Sequence, residues 1–411
     1  MRGIFMKETL WTKNFTLIML GTVISAIGGV GLSLALSVTV YDNTQSTWLT
    51  GLYSALTIIP SILLPVLISP IVDRYSRKNI IVTLDLVLGF VFLLFAWLTK
   101  TGYFNFYFYV LMGLIMNING VIYGLAYDSL FPNLIPKGMF QKGYAIGNLI
   151  YPLTNVVVLP VATVIFHHFG VAFMFMLEGI LLIVASTFER RIEIVETTND
   201  KIVFDVKSHF EDIRDGFRYL KHERAIWNVY LFFVIMMFAD GIHILIYPFF
   251  EKSAILSVVG YSMLLSFQSA GYMFGGFLHY YVKIPTHLRF AISVFVYFTF
   301  AFLDALFFFM PFVIMLLTKF VLGFIGMNSA NIRVTSINNK IEDHMRGRLN
   351  AVFQTMVSCS ILLGKLVAGW LGELFPYSTV AILYGMIIVV GIFVYILKNT
   401  QVVRVLYNQE V

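Results

Sequence analysis

Asp240 and His243 stand three residues apart inside a long apolar stretch, which places them on nearly the same face of a helix. Glu178, Asp304, Lys319 and Lys365 are embedded in other apolar stretches of the chain. An ionisable side chain at the centre of a bilayer costs about 3 kcal/mol on insertion scales, so each of these residues points to coupling or recognition before it points to packing. A carboxyl group in apolar surroundings can take a proton on one side of a membrane and release it on the other. Asp240 and Glu178 are the residues best centred for that exchange, with a hydrogen bond to a neighbouring span as the structural reading of each. Asp304 sits at a depth similar to Lys319 and reads as its ion-pair partner. The two lysines either pair with Asp240, Glu178 or Asp304, or meet an anionic or zwitterionic ligand. Asp85, one to two turns into its stretch, reads as a packing residue at a helix end.

The elements that must hold these groups are membrane helices. The chain of 411 residues is 59% hydrophobic, 16% aromatic and only 12% charged, with a mean hydropathy of +0.85. Soluble domains carry about 25% charged residues. A bilayer offers backbone amides no water, so spanning segments are helices or closed barrels, and these stretches lack the ten-residue alternation of a barrel. Stretches of the required length, about 20 residues, fall near 14–41, 48–72, 79–99, 104–127, 143–166 and 171–188, then near 226–249, 254–282, 290–310, 312–334, 350–374 and 379–397. The pattern predicts an all-α membrane protein of twelve transmembrane helices. The N-terminus lacks a cleavable signal pattern, and the single cysteine, Cys359, excludes a disulfide within the chain.

The formal charge of +6 could suggest an acidic partner. Its distribution argues for topology instead. All Lys and Arg except Lys100, Lys252, Lys319 and Lys365 fall on the N-terminus, the even-numbered loops and the tail. The positive-inside rule then predicts both termini in the cytoplasm, and nucleic acid is not a predicted partner.

Residues 189–225 form the one long polar stretch. Within it Val206, Phe210, Ile213, Phe217 and Leu220 make a single helical stripe, with charges largely elsewhere, as in an amphipathic helix on the cytoplasmic face. The predicted organisation is an N-terminal six-helix bundle (1–188), this linker (189–225) and a C-terminal six-helix bundle (226–411). The halves repeat weakly. Gly51-Leu52-Tyr53-Ser54-Ala55-Leu56 is similar to Gly260-Tyr261-Ser262-Met263-Leu264-Leu265, and Lys142 through Ala145 aligns with Arg348 through Ala351.

Between the second and third stretches stands Ser69-Pro70-Ile71-Val72-Asp73-Arg74-Tyr75-Ser76-Arg77-Lys78. The segment resembles the loop signature of the major facilitator superfamily, with Asp73, Arg74, Arg77 and Lys78 matching and Ser69 and Ser76 replacing both glycines. Other stretches resemble the macrolide-efflux branch of the drug:proton antiporters: Asn14-Phe15, Ser25 with Gly28, Tyr41 to Ser46, Pro132 to Pro136, and Arg346-Gly347-Arg348. The glycine- and proline-rich antiporter signature is absent from span five, which reads Gly147-Asn148-Leu149-Ile150-Tyr151-Pro152 onward to Pro160.

The resemblance implies two pseudo-symmetric six-helix bundles, with spans one, four, seven and ten lining a cavity that contains Asp240 and His243. It also implies a latch in which Asp73 faces the start of span eleven, near Asn350, and Arg77 reaches Asp128, with Arg74 beside them. A helix N-terminus favours such an anion, and a contact made in one state and broken in the other suits a two-state carrier. The expected function is proton-coupled export of hydrophobic small molecules, such as macrolides or mixed drugs, across the bacterial plasma membrane. That activity would serve antibiotic resistance. The protein would be a monomer with no cofactor, driven by the proton gradient, its partners being the solute, protons and the lipid bilayer.

A lipid or lysolipid translocator and a transporter-like sensor with output through the linker helix are the rival readings. Gly364-Lys365 lies in no phosphate loop, and no His-Glu-x-x-His motif occurs, so neither ATP-driven pumping nor zinc proteolysis is indicated. His167-His168 lacks further clustered ligands, and no metal is expected.

Overall fold

A computed structural model describes residues 9–194, 206–253, 257–282 and 284–409. The described residues contain helices and no strands. The first half holds α1 (Lys13–Thr44), α2 (Thr47–Arg74), α3 (Arg77–Thr99) and α4 (Phe106–Leu134). It ends with α5 (140–169) and α6 (171–189), separated by Gly170 at φ 73°. That left-handed conformation is open to glycine at little cost, and it turns the chain between two spans without a loop.

The linker helix α7 (Val206–His222) follows. In the second half α8 runs through Arg224–Glu251, with a tightened turn over Gly241–Leu245. Then come α9 (Val258–Tyr281), α10 (Arg289–Leu306), α11 (Phe312–Lys340), α12 (Asp343–Leu374), α13 (Tyr377–Gly391) and a short terminal helix α14 (Thr400–Asn408). Helices α1 to α6 and α8 to α13 make the twelve spans of the predicted fold.

Local chemistry sets the connections. Ser76 caps α3, its hydroxyl accepting from the Asn79 amide at 3.2 Å, so the charged loop shrinks to Tyr75 and Ser76 between Arg74 and Arg77. Asn105 caps α4 in the same way, accepting from the Phe108 amide at 3.1 Å. Each cap satisfies an amide that the first turn leaves unpaired.

The chain packs as two compact units, residues 1–36 with 63–204 and residues 37–62 with 205–411. In the first, α3 lies against the α5–α6 pair and α4, around buried Phe15, Phe92 and Phe175. In the second, α9 pairs with α11, α10 with α13, and α8 and α7 with α12, around Tyr230, Phe232, Tyr297 and Tyr384. Residues 37–62, the end of α1 and the start of α2, belong to this second unit. There Tyr247 donates to Asp42 Oδ1, Ser46 Oγ and the Trp48 amide donate to Glu373 Oε1 at 2.6 and 2.9 Å, and Thr47 Oγ1 donates to the Gly369 carbonyl at 2.8 Å. Large apolar side chains such as Phe90, Leu94 and Trp97 are exposed on α3, as suits a surface that meets lipid.

Candidate functional site

The first unit encloses a cavity of about 420 Å³ whose wall includes Ser25, Asp85, Asn119, Tyr123, Tyr151 and Glu178. Helix α1, whose Thr22, Ser25 and Gly29 line it, also carries Gly21 and Gly28, seven residues apart. At Gly28 an added Cβ would stand 1.6 Å from Glu178 Oε2, and at Gly21 one would stand 2.7 Å from Glu189 Cγ. Each carboxyl therefore occupies a notch that only a missing side chain leaves open. Between the notches Ser25 Oγ donates to Asp85 Oδ2 at 3.1 Å. Tyr123 OH donates to Glu189 Oε1 at 2.9 Å.

Three acids thus follow α1 over about 10 Å at 1.5 Å rise per residue. All three are buried, and the second oxygens of Glu178 and Glu189 have no hydrogen-bond partner. Among the described residues, no Lys or Arg lines the cavity. Asp128 also contributes to the wall and makes no ion pair with a described residue, whereas Arg74 and Arg77 close and open the helices flanking the charged loop. The side chain of Asp73 lies outside those described.

The second unit assembles the remaining predicted residues in another way. His243 Nδ1 is 3.0 Å from Asp240 Oδ1, and its Nε2 is 2.8 Å from Lys319 Nζ and 3.3 Å from Asp304 Oδ1. Lys319 Nζ lies 3.7 Å from Asp304 Oδ1 and 4.8 Å from the centre of the Phe307 ring. An ammonium only donates, so Nε2 facing Lys319 accepts and Nδ1–H donates to Asp240, which leaves the 3.3 Å approach of Nε2 to Asp304 a contact without a hydrogen bond. A doubly protonated ring would set an N–H against the ammonium. The four side chains form a continuous network in which the charge of Lys319 offsets that of Asp304 and His243 orients Asp240. Lys365, on α12, acts on Asp240 electrostatically but makes no hydrogen bond or ion pair with a described residue. Glu178 belongs to the other unit's cavity and takes no part in this network.

Asp240 and His243 also line a cavity of about 320 Å³ together with Gln268, Tyr272, Arg333 and Gln354. Arg333 lies over the Phe233 and Phe353 rings, at 4.0 and 4.8 Å from their centres. Its Nε is buried without a hydrogen-bond partner.

Arg333 corrects the sequence reading, which placed it with the cytoplasmic charges at the end of a span. Helix α11 runs on to Lys340 and carries Arg333 into the bundle. Glu189 and Asp85 are corrected similarly: the first closes α6 as a buried residue and not as the opening of the linker, and the second lines the cavity. His167 and His168 are exposed neighbours, and the described residues contain no group of three or more His, Cys, Asp or Glu side chains arranged to hold a metal ion.

The model of the Major Facilitator Superfamily matches residues 18–345. The chain belongs to this superfamily. Solved structures of major facilitator transporters share the fold. The nucleoside transporter NupG aligns with a TM-score of 0.66 at 16% identity, covering 93% of this chain and 98% of its own. A bacterial homologue of the human lysosomal transporter Spinster, inward-facing and unoccupied, gives 0.64 at 12%, covering 97% of both chains. A bacterial homologue of the iron transporter ferroportin, inward-facing, gives 0.64 at 14%, covering 98% of this chain and all of that one. No curated protein matches the chain by sequence. The protein is a multi-pass membrane transporter of the major facilitator type, and these distant likenesses extend to the fold alone.

Proposed function

We propose that this transporter exports hydrophobic small molecules, of macrolide or mixed-drug type, across the bacterial plasma membrane in exchange for protons, with both termini cytoplasmic. The observation that carries the coupling is the Glu178 carboxyl, buried in the Gly28 notch with one oxygen unpartnered and no cation among the described residues of the cavity wall. A carboxylate buried without a counter-charge is strongly disfavoured, so the group is stable there with a proton or a cation against it. Occupancy by a proton on the outside and loss of that proton inside would drive a solute outward. Asp85 and Glu189 extend the path along α1.

Asp240 is less suited to this task, because His243 hydrogen-bonds it and the nearby lysines meet its charge. The latch of Asp73, Arg74, Arg77 and Asp128 belongs to the same reading as the element that distinguishes the two states.

The test is transport in proteoliposomes with and without a pH gradient, screened over macrolides, cationic dyes and lysolipids. Glu178→Gln should abolish uphill export while leaving downhill exchange, and Asp240→Asn should retain uphill export at reduced rate. Full uphill export by Glu178→Gln would remove the proton from this site. A lipid or lysolipid translocator is the second reading, favoured by the unpaired Arg333 in the other unit.

A further inference from the structure

We propose that the cavity of the second unit is an anion site, in which Arg333 binds the carboxylate or phosphate of an amphiphilic organic anion whose apolar body lies on Phe300, Met236 and Met237. This deepens the second of the two transport readings, that of a lipid or lysolipid translocator, by naming a substrate class, and rests on transport only for the word substrate.

A guanidinium keeps its charge under all ordinary conditions, and Arg333 is half-buried with its Nε fully buried and unpartnered, so that charge calls for an answering group. The partners that the structure gives Arg333 are two ring faces. Such contacts contribute about 0.5–2 kcal/mol each, and they cover the flat sides of the group. Its N–H donors point outward along the edges, the geometry that grips an oxyanion with two parallel hydrogen bonds.

No carboxylate of a described residue forms an ion pair with Arg333. Asp240 shares the cavity but is held by His243 at 3.0 Å. The face of α11 that carries Arg333 also presents Ser329 one turn earlier, and Gln354 faces the cavity from α12. These are neutral groups able to hydrogen-bond an oxyanion without repelling it. Phe300, Met236, Met237, Val296 and Val357 supply an apolar wall, the usual make-up of a site for a small organic ligand. An unpaired arginine opposes a cationic ligand here, so the cavity selects by charge.

The anion could be that of a free organic acid or of a lipid headgroup, and the experiment separates the two. Equilibrium binding to the purified full chain in a neutral detergent is measured for dodecanoate against dodecanamide, and for lysophosphatidylglycerol against lysophosphatidylcholine. The native protein should prefer the anion in at least one pair by about tenfold or more, the worth of a charge-assisted hydrogen bond. The pair in which this occurs identifies the source. Arg333→Gln should bring that preference to within about twofold while the neutral member binds as before, which also shows that the variant is folded, and Arg333→Lys should retain part of it. Equal binding of anion and neutral partner in both pairs, an undiminished preference in Arg333→Gln, or no saturable binding of any anion up to about 1 mM would overturn the proposal. The measurement uses no gradient, so failure of proton-driven export leaves it intact, and its own failure leaves the Glu178 test intact.

Discussion

The interiors of the two units solve the problem of buried charge in opposite ways. In the first, Asp85, Glu178 and Glu189 are buried with hydroxyl donors at most, and no described basic residue lines the cavity that Asp85 and Glu178 face. In the second, Asp240 and Asp304 are tied to His243 and Lys319, and a half-buried cation, Arg333, rests on aromatic rings. An acid without a partner can change its charge when a proton arrives, and little has to be broken first. An acid inside a network of hydrogen bonds can do so only by disrupting the network. The proposed proton exchange therefore suits the first unit, and the proposed ligand recognition suits the fixed charge pattern of the second.

The largest effect that can break this contrast is steric. Gly28→Ala would drive a methyl group into Glu178 Oε2, whereas at Gly29 a Cβ would stand 3.5 Å from Glu178 Oε1, an ordinary contact. We expect Gly28→Ala to lose uphill transport as completely as Glu178→Gln does, and Gly29→Ala to keep it. Transport assays at matched expression decide this, and normal coupling in Gly28→Ala would mean that the notch has no role.

The next effect is on stability. Lys319→Met leaves Asp304 and the imidazole Nε2 without their donor, and breaking a buried pair in this way costs about 3–5 kcal/mol. Thermal unfolding in detergent should show a large drop, with most of it recovered in the Lys319→Met/Asp304→Asn double variant. Glu178→Gln should show no such drop, because no partner is stranded. Equal losses in the two units would erase the distinction between them.

The same contrast shows what could be read from the chain. Twelve apolar stretches, the charged loop and the linker stripe were legible because hydropathy and period follow directly from composition. The Lys319–Asp304 pairing was legible too, since two costly opposite charges at similar depth invite it. Glu189 and Arg333 were not, because each lies where an apolar stretch runs into polar or charged residues; Glu189 is the last residue of its helix, and at Arg333 the helix continues although the apolar pattern fades. Asp85 was recognised as embedded but assigned to packing. Its place in the cavity depends on Ser25 of another helix, a contact between residues 60 positions apart. The notch at Gly28 lies still further from sequence reading, since it exists only once α6 packs on α1. Nor did apolar pattern indicate that residues 37–62 pack with the second unit. That depends on single hydrogen bonds such as Tyr247 to Asp42.

The smallest expected effect is a control outside both interiors. Lys13 Nζ contacts Glu193 Oε1 at 2.6 Å, and this hydrogen bond and charge hold the exposed Glu193 carboxyl below its ordinary value. A lowered acid contributes stability above its unfolded value, about 4.3, and that contribution fades as pH falls through the folded value. Glu193→Gln should therefore unfold at a slightly lower temperature than the native protein at neutral pH and converge with it in acid, with coupling unchanged. A loss of coupling in this variant would place proton traffic at the rim of the unit instead of its interior.

The central claim is that the exchanged proton resides on the partnerless acids of the first unit, and proton release on substrate binding tests it most directly. The purified protein in weakly buffered detergent, with a pH-indicator dye, is mixed with the compound that gives uphill export. The account predicts proton release from the native protein and from Asp240→Asn, and none from Glu178→Gln. Release by Glu178→Gln at the native level, with loss in Asp240→Asn, would contradict it and return the proton to the second unit.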